Sequence, residues 1–255
     1  MRRLSGRGTV GDRCHARGVL AAGALLLGGL VVAACGSGSS GTPATTASGA
    51  GSTAPTTASG GGSDSGLDAL VDGVSKGSGS SFSATYLTVQ ASTGKSQTVT
   101  FAQSPPKSAI ITPSGSFYVD GTTITECQGS GSTATCTTLP SSMSSAVSGL
   151  TGLYSPSVIV NELKGLQSQV TEHVAGFDVS TSTATYGGQA STCVTAKGAS
   201  QPTPVTYCAS TSSGILTHVS AAGNTVTLQA YSTDPPASTF APPAGATVAT
   251  LPAGV

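Results

Sequence analysis

The sequence predicts an α+β domain, an antiparallel sheet with packed helices, preceded by an export signal and a disordered tether. Three observations lead to this prediction. Short runs rich in Thr, Val and Tyr are separated by turn-forming Gly, Pro and Ser residues, which is typical of antiparallel strands. Apolar residues recur at helical spacing before the first run and again in the middle of the chain. The chain begins basic and then apolar, and the following stretch is almost entirely small and polar.

The export signal comes first. An apolar run over 18–34 is too short and too rich in Gly and Ala to span a membrane, and it follows a basic segment, as in a cleaved signal peptide. The basic residues of that segment are Arg2, Arg3, Arg7, Arg13 and Arg17. The run ends at a cysteine, Cys35, and one interpretation is an ordinary secretory signal that contains this cysteine by chance.

The end of this run, Val32-Ala33-Ala34-Cys35, resembles the lipobox of bacterial lipoproteins. The resemblance implies that the Cys35 thiol receives a diacylglyceryl group, that residues 1–34 are removed, and that the new amine can take a further acyl chain. Two or three acyl chains anchor a protein stably, where one does not. The expected location is therefore the extracytoplasmic face of the cell membrane, with the lipid anchor as the membrane partner.

The tether is predicted over 35–66. No Val, Leu, Ile or aromatic residue occurs from Gly36 to Gly66, so this segment has too little apolar surface to form a core. Its Gly and Ser content predicts a flexible spacer. The Thr-rich repeats beside Pro43 and Pro55 are also compatible with O-linked sugars.

The charge of the mature chain limits its partners. After removal of the signal, five lysines and nine acidic residues remain, which is 5 − 9 = −4, and no arginine is left. A mildly acidic surface argues against nucleic acid as a partner and against charge-driven binding to acidic headgroups.

The remaining residues, 67–255, have the length of one domain. A short amphipathic helix is predicted where Leu67, Leu70, Val71 and Val74 share one face. Strands are then predicted over 82–90, 96–103, 108–112, 116–120 and 122–127.

The middle of the domain, 141–170, is predicted to form two helices. Ser155 is the expected N-cap of the second, with Pro156 at its first position. Its apolar stripe consists of Val158, Ile159, Leu163, Leu166 and Val170. Strands resume over 177–186, 189–196, 205–210, 215–220 and 225–231, and the Pro-rich tail from Phe240 cannot continue a central strand.

Four cysteines remain in the exported domain, outside the reducing cytoplasm, and allow three disulfide connectivities. Hairpin spacing favours Cys127 with Cys136 and Cys193 with Cys208, which places Gly129 opposite Ala134 and Thr195 opposite Thr206. The alternatives are zinc binding and redox chemistry, but no CxxC pair occurs and no histidine lies at ligand spacing.

We expect no catalytic activity, no bound metal and no cofactor. The mature chain has only His173 and His218, and it contains no GxSxG, SxxK or phosphate-binding glycine motif. A hydrolase stays open as an alternative, because it would require only that a serine, one of these histidines and a carboxylate converge.

The order of elements resembles the lipoprotein-carrier (LolA-like) superfamily, including the LppX/LprG-type lipoproteins of actinobacterial envelopes. The segments that carry the resemblance are "SFSATY", "QSPPKSAIITPSGSFYVDG", "YCASTSSGILTHVSAAGNTVTLQAY" and "FAPPAGA". The resemblance implies a strongly curved antiparallel sheet, a half-barrel with helices packed on its concave face, and an apolar cavity between sheet and helices that takes acyl chains.

The expected function is therefore binding or carriage of a lipid or other hydrophobic ligand, and the alternative is a solid-cored envelope module that contacts a protein partner. Each cavity candidate is also compatible with ordinary packed core. The candidates are Leu150, Leu153, Val158, Ile159, Leu163 and Leu166 from the helices and Val99, Phe101, Ile111, Phe117, Val226 and Leu228 from the sheet.

Overall fold

The structure is a computed structural model that describes residues 63–139, 154–198 and 203–250. These residues contain two α-helices, α1 (Ser63–Gly77) and α2 (Pro156–Thr171), and twelve strands. The strands are β1 (Phe82–Val89), β2 (Ser96–Ser104), β3 (Lys107–Thr112), β4 (Gly115–Asp120), β5 (Thr123–Gln128), β6 (Thr135–Leu139), β7 (Asp178–Tyr186), β8 (Gln189–Lys197), β9 (Val205–Ser210), β10 (Leu216–Ala221), β11 (Asn224–Ser232) and β12 (Thr247–Thr250).

All twelve strands belong to one sheet in the order β12-β6-β5-β4-β3-β2-β1-β11-β10-β9-β8-β7. Neighbours are antiparallel except at one end, where β12 runs parallel to β6. Most pairs are consecutive hairpins, as short turns require. The exception in the middle is β1, which pairs with both β2 and β11 and so joins the two groups of hairpins.

The predicted α+β half-barrel with helices packed on its concave face is wrong. The described residues form a largely β fold, in which one twelve-stranded sheet dominates and two α-helices cover part of one face. Two strands that the residue pattern did not mark enlarge the sheet: β6, which only the predicted Cys127–Cys136 hairpin implies, and β12. β6 is polar and has little alternation, and β12 pairs with a strand more than one hundred residues earlier in the chain.

The helix predictions are confirmed in part. α2 has Ser155 at its N-cap position and proline in its first turn, as predicted. α1 begins at Ser63, so the last residues of the predicted 35–66 tether are helical. Most of the first helix predicted within 141–170 lies outside the described residues.

The main core lies between the helices and one face of the sheet. The predicted stripe of α1 is fully buried there, and α2 contributes Ile159, Val160 and Leu163. Burial of this apolar surface is the largest favourable contribution to folding. We call this side of the sheet the helix face.

A smaller core lies on the opposite face of β3 to β6. Ala109, Tyr118, Cys127, Ala134 and Cys136 are buried together there, and the C-terminal segment packs on them through Phe240 and Ala246. Both faces of the sheet are therefore covered in part, and a strand in this region has apolar residues on either side.

Both predicted disulfides are present, Cys127–Cys136 between β5 and β6 and Cys193–Cys208 between β8 and β9. In each case the two cysteines lie directly opposite each other, and Thr195 lies opposite Thr206 as the spacing predicts. Each bridge closes a short loop, of 9 and 15 residues in sequence separation. A loop of this length is expected to contribute about 3 kcal/mol by restricting the unfolded chain.

Candidate functional site

The structure brings six of the predicted cavity residues together in the main core. Val99, Phe101, Val226 and Leu228 of the sheet and Ile159 and Leu163 of α2 are each at most 4% exposed and belong to one cluster. Leu166 packs against the same cluster, and Val158 is half-buried. Cys35, Leu150 and Leu153 lie outside the described residues.

Two of the sheet candidates lie elsewhere. Ile111 pairs with Ser116, which pairs with Cys127, so its side chain lies on the face opposite the helices. Its neighbour Ile110 is the residue that enters the main core. Phe117 pairs with Ile110 and lies on the helix face, where it is half-buried. Two consecutive isoleucines left the orientation of β3 undecided in the sequence.

Aromatic rings fill the centre of the main core. Phe82 and Phe101 lie with ring centroids 5.7 Å apart, and Tyr154 lies 5.4 Å from Tyr86 and 6.3 Å from Phe101. The hydroxyl of Tyr86 donates a hydrogen bond of 3.0 Å to the carbonyl oxygen of Leu216. These distances are those of directly packed rings, so this part of the core is filled by the chain's own side chains.

The buried phenols of this core are neutral. Burial raises the pKa of Tyr86 and of Tyr154 above the ordinary value, and burial together with the nearby Glu162 carboxylate raises the pKa of Tyr207 to about 12. A phenol in such surroundings does not act as a base or nucleophile near neutral pH. These rings contribute packing, and Tyr86 adds its hydrogen bond to Leu216.

An open cleft of about 170 Å³ lies between the β2–β3 turn and the start of α2. It is lined by Phe101, Gln103, Pro105, Pro106, Lys107, Ser108 and Ser155. The amide nitrogen of Gln103 lies 2.8–3.2 Å from the carbonyl oxygens of Gly77, Ser78 and Ser80, and the Lys107 ammonium lies 3.0 Å from the Asp120 carboxylate. The Gln103 amide and the Lys107 ammonium are therefore engaged within the protein. The volume of the cleft is below the usual range for a drug-sized ligand, about 300–1,000 Å³.

His218 stacks on Tyr186, a half-buried residue that packs against the main core. The ring centroids are 4.7 Å apart, the rings are nearly parallel, and Nδ1 of His218 lies 2.9 Å from the hydroxyl oxygen of Thr227. The described partners of His218 are thus an aromatic ring and a threonine, and among these contacts no serine or carboxylate completes a hydrolytic triad. Within the described residues, no cluster of three or more His, Cys, Asp or Glu side chains has the arrangement of a metal site.

We expect the stability of the protein to fall below about pH 6.5 because of His218. Burial lowers the pKa of His218, so the unfolded chain takes up this proton at a higher pH than the folded chain does. The stabilisation is therefore complete above the unfolded pKa and is lost as the pH falls from there through the folded pKa.

The measurement is the urea unfolding midpoint between about pH 8 and about pH 5, where the difference in proton uptake sets the slope. In His218→Gln the unfolding midpoint should fall less with decreasing pH than in the unaltered protein. In His173→Asn it should fall as much as in the unaltered protein. An identical loss in His218→Gln would show that another group causes it.

A feature that sequence reasoning missed is the outer edge of β7, beside which no other described strand lies. This strand ends the sheet on one side, is nine residues long and has a regular register with β8 throughout. The other end of the sheet is β12, which has only four residues. Long, regular edges usually carry a lysine, a proline or a bulge that blocks further pairing. β7 has the sequence DVSTSTATY, with neither lysine nor proline.

The hairpin register shows which backbone groups of β7 point outward. Gly187 and Gly188 form a two-residue turn closed by Tyr186 and Gln189, a pair that exchanges hydrogen bonds. Because bonded and non-bonded pairs alternate along an antiparallel ladder, the N–H and C=O groups of Val179, Thr181, Thr183 and Thr185 point away from β8. The side chains of Thr183 and Thr185 are exposed. This set of residues is called the β7 edge below.

Comparisons with known proteins leave the family open. No protein-family model and no curated protein matches the chain. Among solved structures, the chain is similar to MucB, with 12% identity, a TM-score of 0.46 and coverage of 73% of this chain. MucB in its complex with MucA from Pseudomonas aeruginosa is 10% identical to this chain, with a TM-score of 0.44. PNGF-II is 9% identical, with a TM-score of 0.33, and the match covers 31% of the PNGF-II chain. The chain spans 64% of the length of the MucB chains in the first two structures.

No helix among the described residues is both long and apolar enough to cross a bilayer.

Proposed function

We propose that this chain is a lipid-anchored binding module on the extracytoplasmic face of the cell membrane, which recognises another protein chain without covalent chemistry. The β7 edge is the observation that carries the proposal. Every second residue of this long, unbroken strand from Val179 to Thr185 has outward-pointing backbone groups, and none of these four residues is charged. An extended segment added beside such a strand gains main-chain hydrogen bonds along its whole length.

The scaffold behind this edge is suited to binding without rearrangement. The Cys193–Cys208 bridge joins the second and third strands from the edge, and α1 packs over β7, β8 and β9. A strand held in place before binding loses less conformational entropy when a partner pairs with it. The lipobox and the tether supply the anchoring part of the proposal.

The test is in vivo crosslinking of the full-length chain in membranes, followed by purification. Thr183→Pro removes an outward-pointing N–H without breaking a bond to β8, so the fold should persist while strand pairing is lost. Thr183→Ala keeps the N–H and is the matched control. We expect Thr183→Pro to give at least about tenfold less crosslinked protein. A tenfold loss corresponds to about 1.4 kcal/mol of binding free energy.

Two further results decide the proposal. Cys35→Ala, which lacks the thiol for the acyl chain, should move from the membrane fraction to the soluble fraction. Equal yields from Thr183→Pro and Thr183→Ala would contradict the binding role of the β7 edge.

Lipid carriage is the second candidate, as the LolA-like resemblance implies. The helix face of β4 to β6 favours lipid carriage, because the half-buried Phe117, Val119 and Leu139 surround the buried Ile124 beyond the aromatic core. Glu126, opposite Phe117, is the charged residue on this part of the face. Mass spectrometry of molecules extracted from the purified protein tests it. A stoichiometric acyl lipid, other than the anchor itself, would support carriage, and its absence would remove this candidate.

A further inference from the structure

We propose that the chain bound at the β7 edge is a second copy of this protein, so that two sheets join into one continuous antiparallel sheet. This inference rests on the proposed function, because it names the occupant of the same edge. Three properties of β7 and its surroundings support a second copy: self-complementarity, the absence of a charge conflict, and the side of the sheet on which the chain enters.

β7 is self-complementary in antiparallel pairing. When two copies overlap over all nine residues, Thr181 lies opposite Thr183 and Val179 lies opposite Thr185 of the second copy. These are the outward-pointing residues, so the new ladder contains about eight backbone hydrogen bonds. Threonine pairs across a ladder are favourable, and every side chain between the ends is small.

No like charges meet in this arrangement. Asp178 is the only charged residue of β7, and in the full overlap it lies opposite Tyr186 of the second copy. Within each copy Asp178 already lies opposite Lys197 of β8. The net negative charge of the mature chain is therefore not concentrated at the junction, and long-range repulsion is weak at physiological salt.

The symmetry of the pair suits attachment to one membrane. Two antiparallel strands in one sheet are related by a two-fold axis perpendicular to the sheet, so both copies present the same face on the same side. α1 lies on the helix face, and a Cβ on Gly66 in its first turn would contact the side chain of Thr181 on β7. Both chains thus enter their domains on one side, close to the axis, from which two tethers can reach a single bilayer.

Anchoring also compensates for the small size of the contact. One strand pair buries less surface than the 1,200–2,000 Å² or so of a typical stable interface. Confinement to one membrane raises the effective concentration of the copies, which strengthens a weak pairing without any new contact. The pairing is therefore expected on membranes and not in dilute solution.

The experiment is thiol crosslinking of the full-length chain in its membrane. Thr183→Cys places a thiol on the exposed helix face of β7, and the two Thr183 positions are diagonal neighbours about 7–8 Å apart or less. A short bismaleimide should then give a covalent dimer. Thr247→Cys, an exposed threonine on the opposite edge strand β12, is the matched control and should give none.

A second substitution tests whether strand pairing causes the crosslink. Adding Thr185→Pro to Thr183→Cys should reduce the dimer at least about tenfold, the effect of about 1.4 kcal/mol. Adding Thr185→Ala should not. A dimer that persists with Thr185→Pro, or that forms equally from Thr247→Cys, would overturn the inference.

The failures of the two proposals are distinguishable. If Thr183→Cys gives no dimer while Thr183→Pro still abolishes capture of a different protein, the second copy is wrong and the protein-binding function stands. If neither proline substitution changes any crosslink, both are wrong. The fold of the proline variants is retained if they unfold thermally within a few degrees of the parent protein.

Discussion

Gly214→Ala is expected to destabilise the protein by about 2–5 kcal/mol. Gly214 lies in the β9–β10 turn with a φ of +67°, where a residue with a Cβ is strained by about 1–2 kcal/mol. An added Cβ would also overlap the carbonyl oxygen of Gly73 and lie 3.1 Å from the backbone nitrogen of Gly77. Both groups belong to α1 backbone, which cannot move aside as a side chain can, so overpacking adds about 1–3 kcal/mol.

Gly94→Ala is the matched control for this prediction. Gly94 has nearly the same φ, +63°, but no atom lies within 4 Å of an added Cβ. The control therefore measures backbone strain alone. Urea unfolding followed by circular dichroism gives both values, and equal losses of stability in the two variants would show that α1 does not pack against the β9–β10 turn as described.

Phe101→Ala is expected to cost about 3–5 kcal/mol of unfolding free energy. Phe101 is 1% exposed and packs against the rings of Phe82 and Tyr154. Its removal deletes a large apolar surface and leaves a cavity that the surrounding strands cannot collapse into. The expected result follows from a filled core at this position.

Phe117→Ala is the comparison for Phe101→Ala. Phe117 lies on the same face of the sheet, two strands away from Phe101, but it is only half-buried. Its loss should be clearly smaller when measured by the same urea unfolding. If Phe101→Ala costs no more than Phe117→Ala, then the space around Phe101 is not filled as the ring distances indicate.

The candidate site could be predicted only in part. Spacing identified the two disulfides and their registers, because a cross-strand pair in a hairpin depends on local geometry alone. The same kind of argument failed for Ile111, since two consecutive isoleucines satisfy the alternation of a strand in either orientation. The β7 edge was missed because no residue type marks it. A Thr-rich strand has the same sequence pattern in the middle of a sheet as at its edge.

The sequence by itself determined where most strands and helices lie and how neighbouring strands pair. These features depend on the period of the side chains, on turn residues and on helix ends, all of which act within about ten residues. The tertiary structure alone decided the order of the strands. It placed β1 beside β11 and β12 beside β6, and it left β7 at the end of the sheet. Such pairings join segments far apart in the chain, so their stability depends on packing that no local pattern encodes.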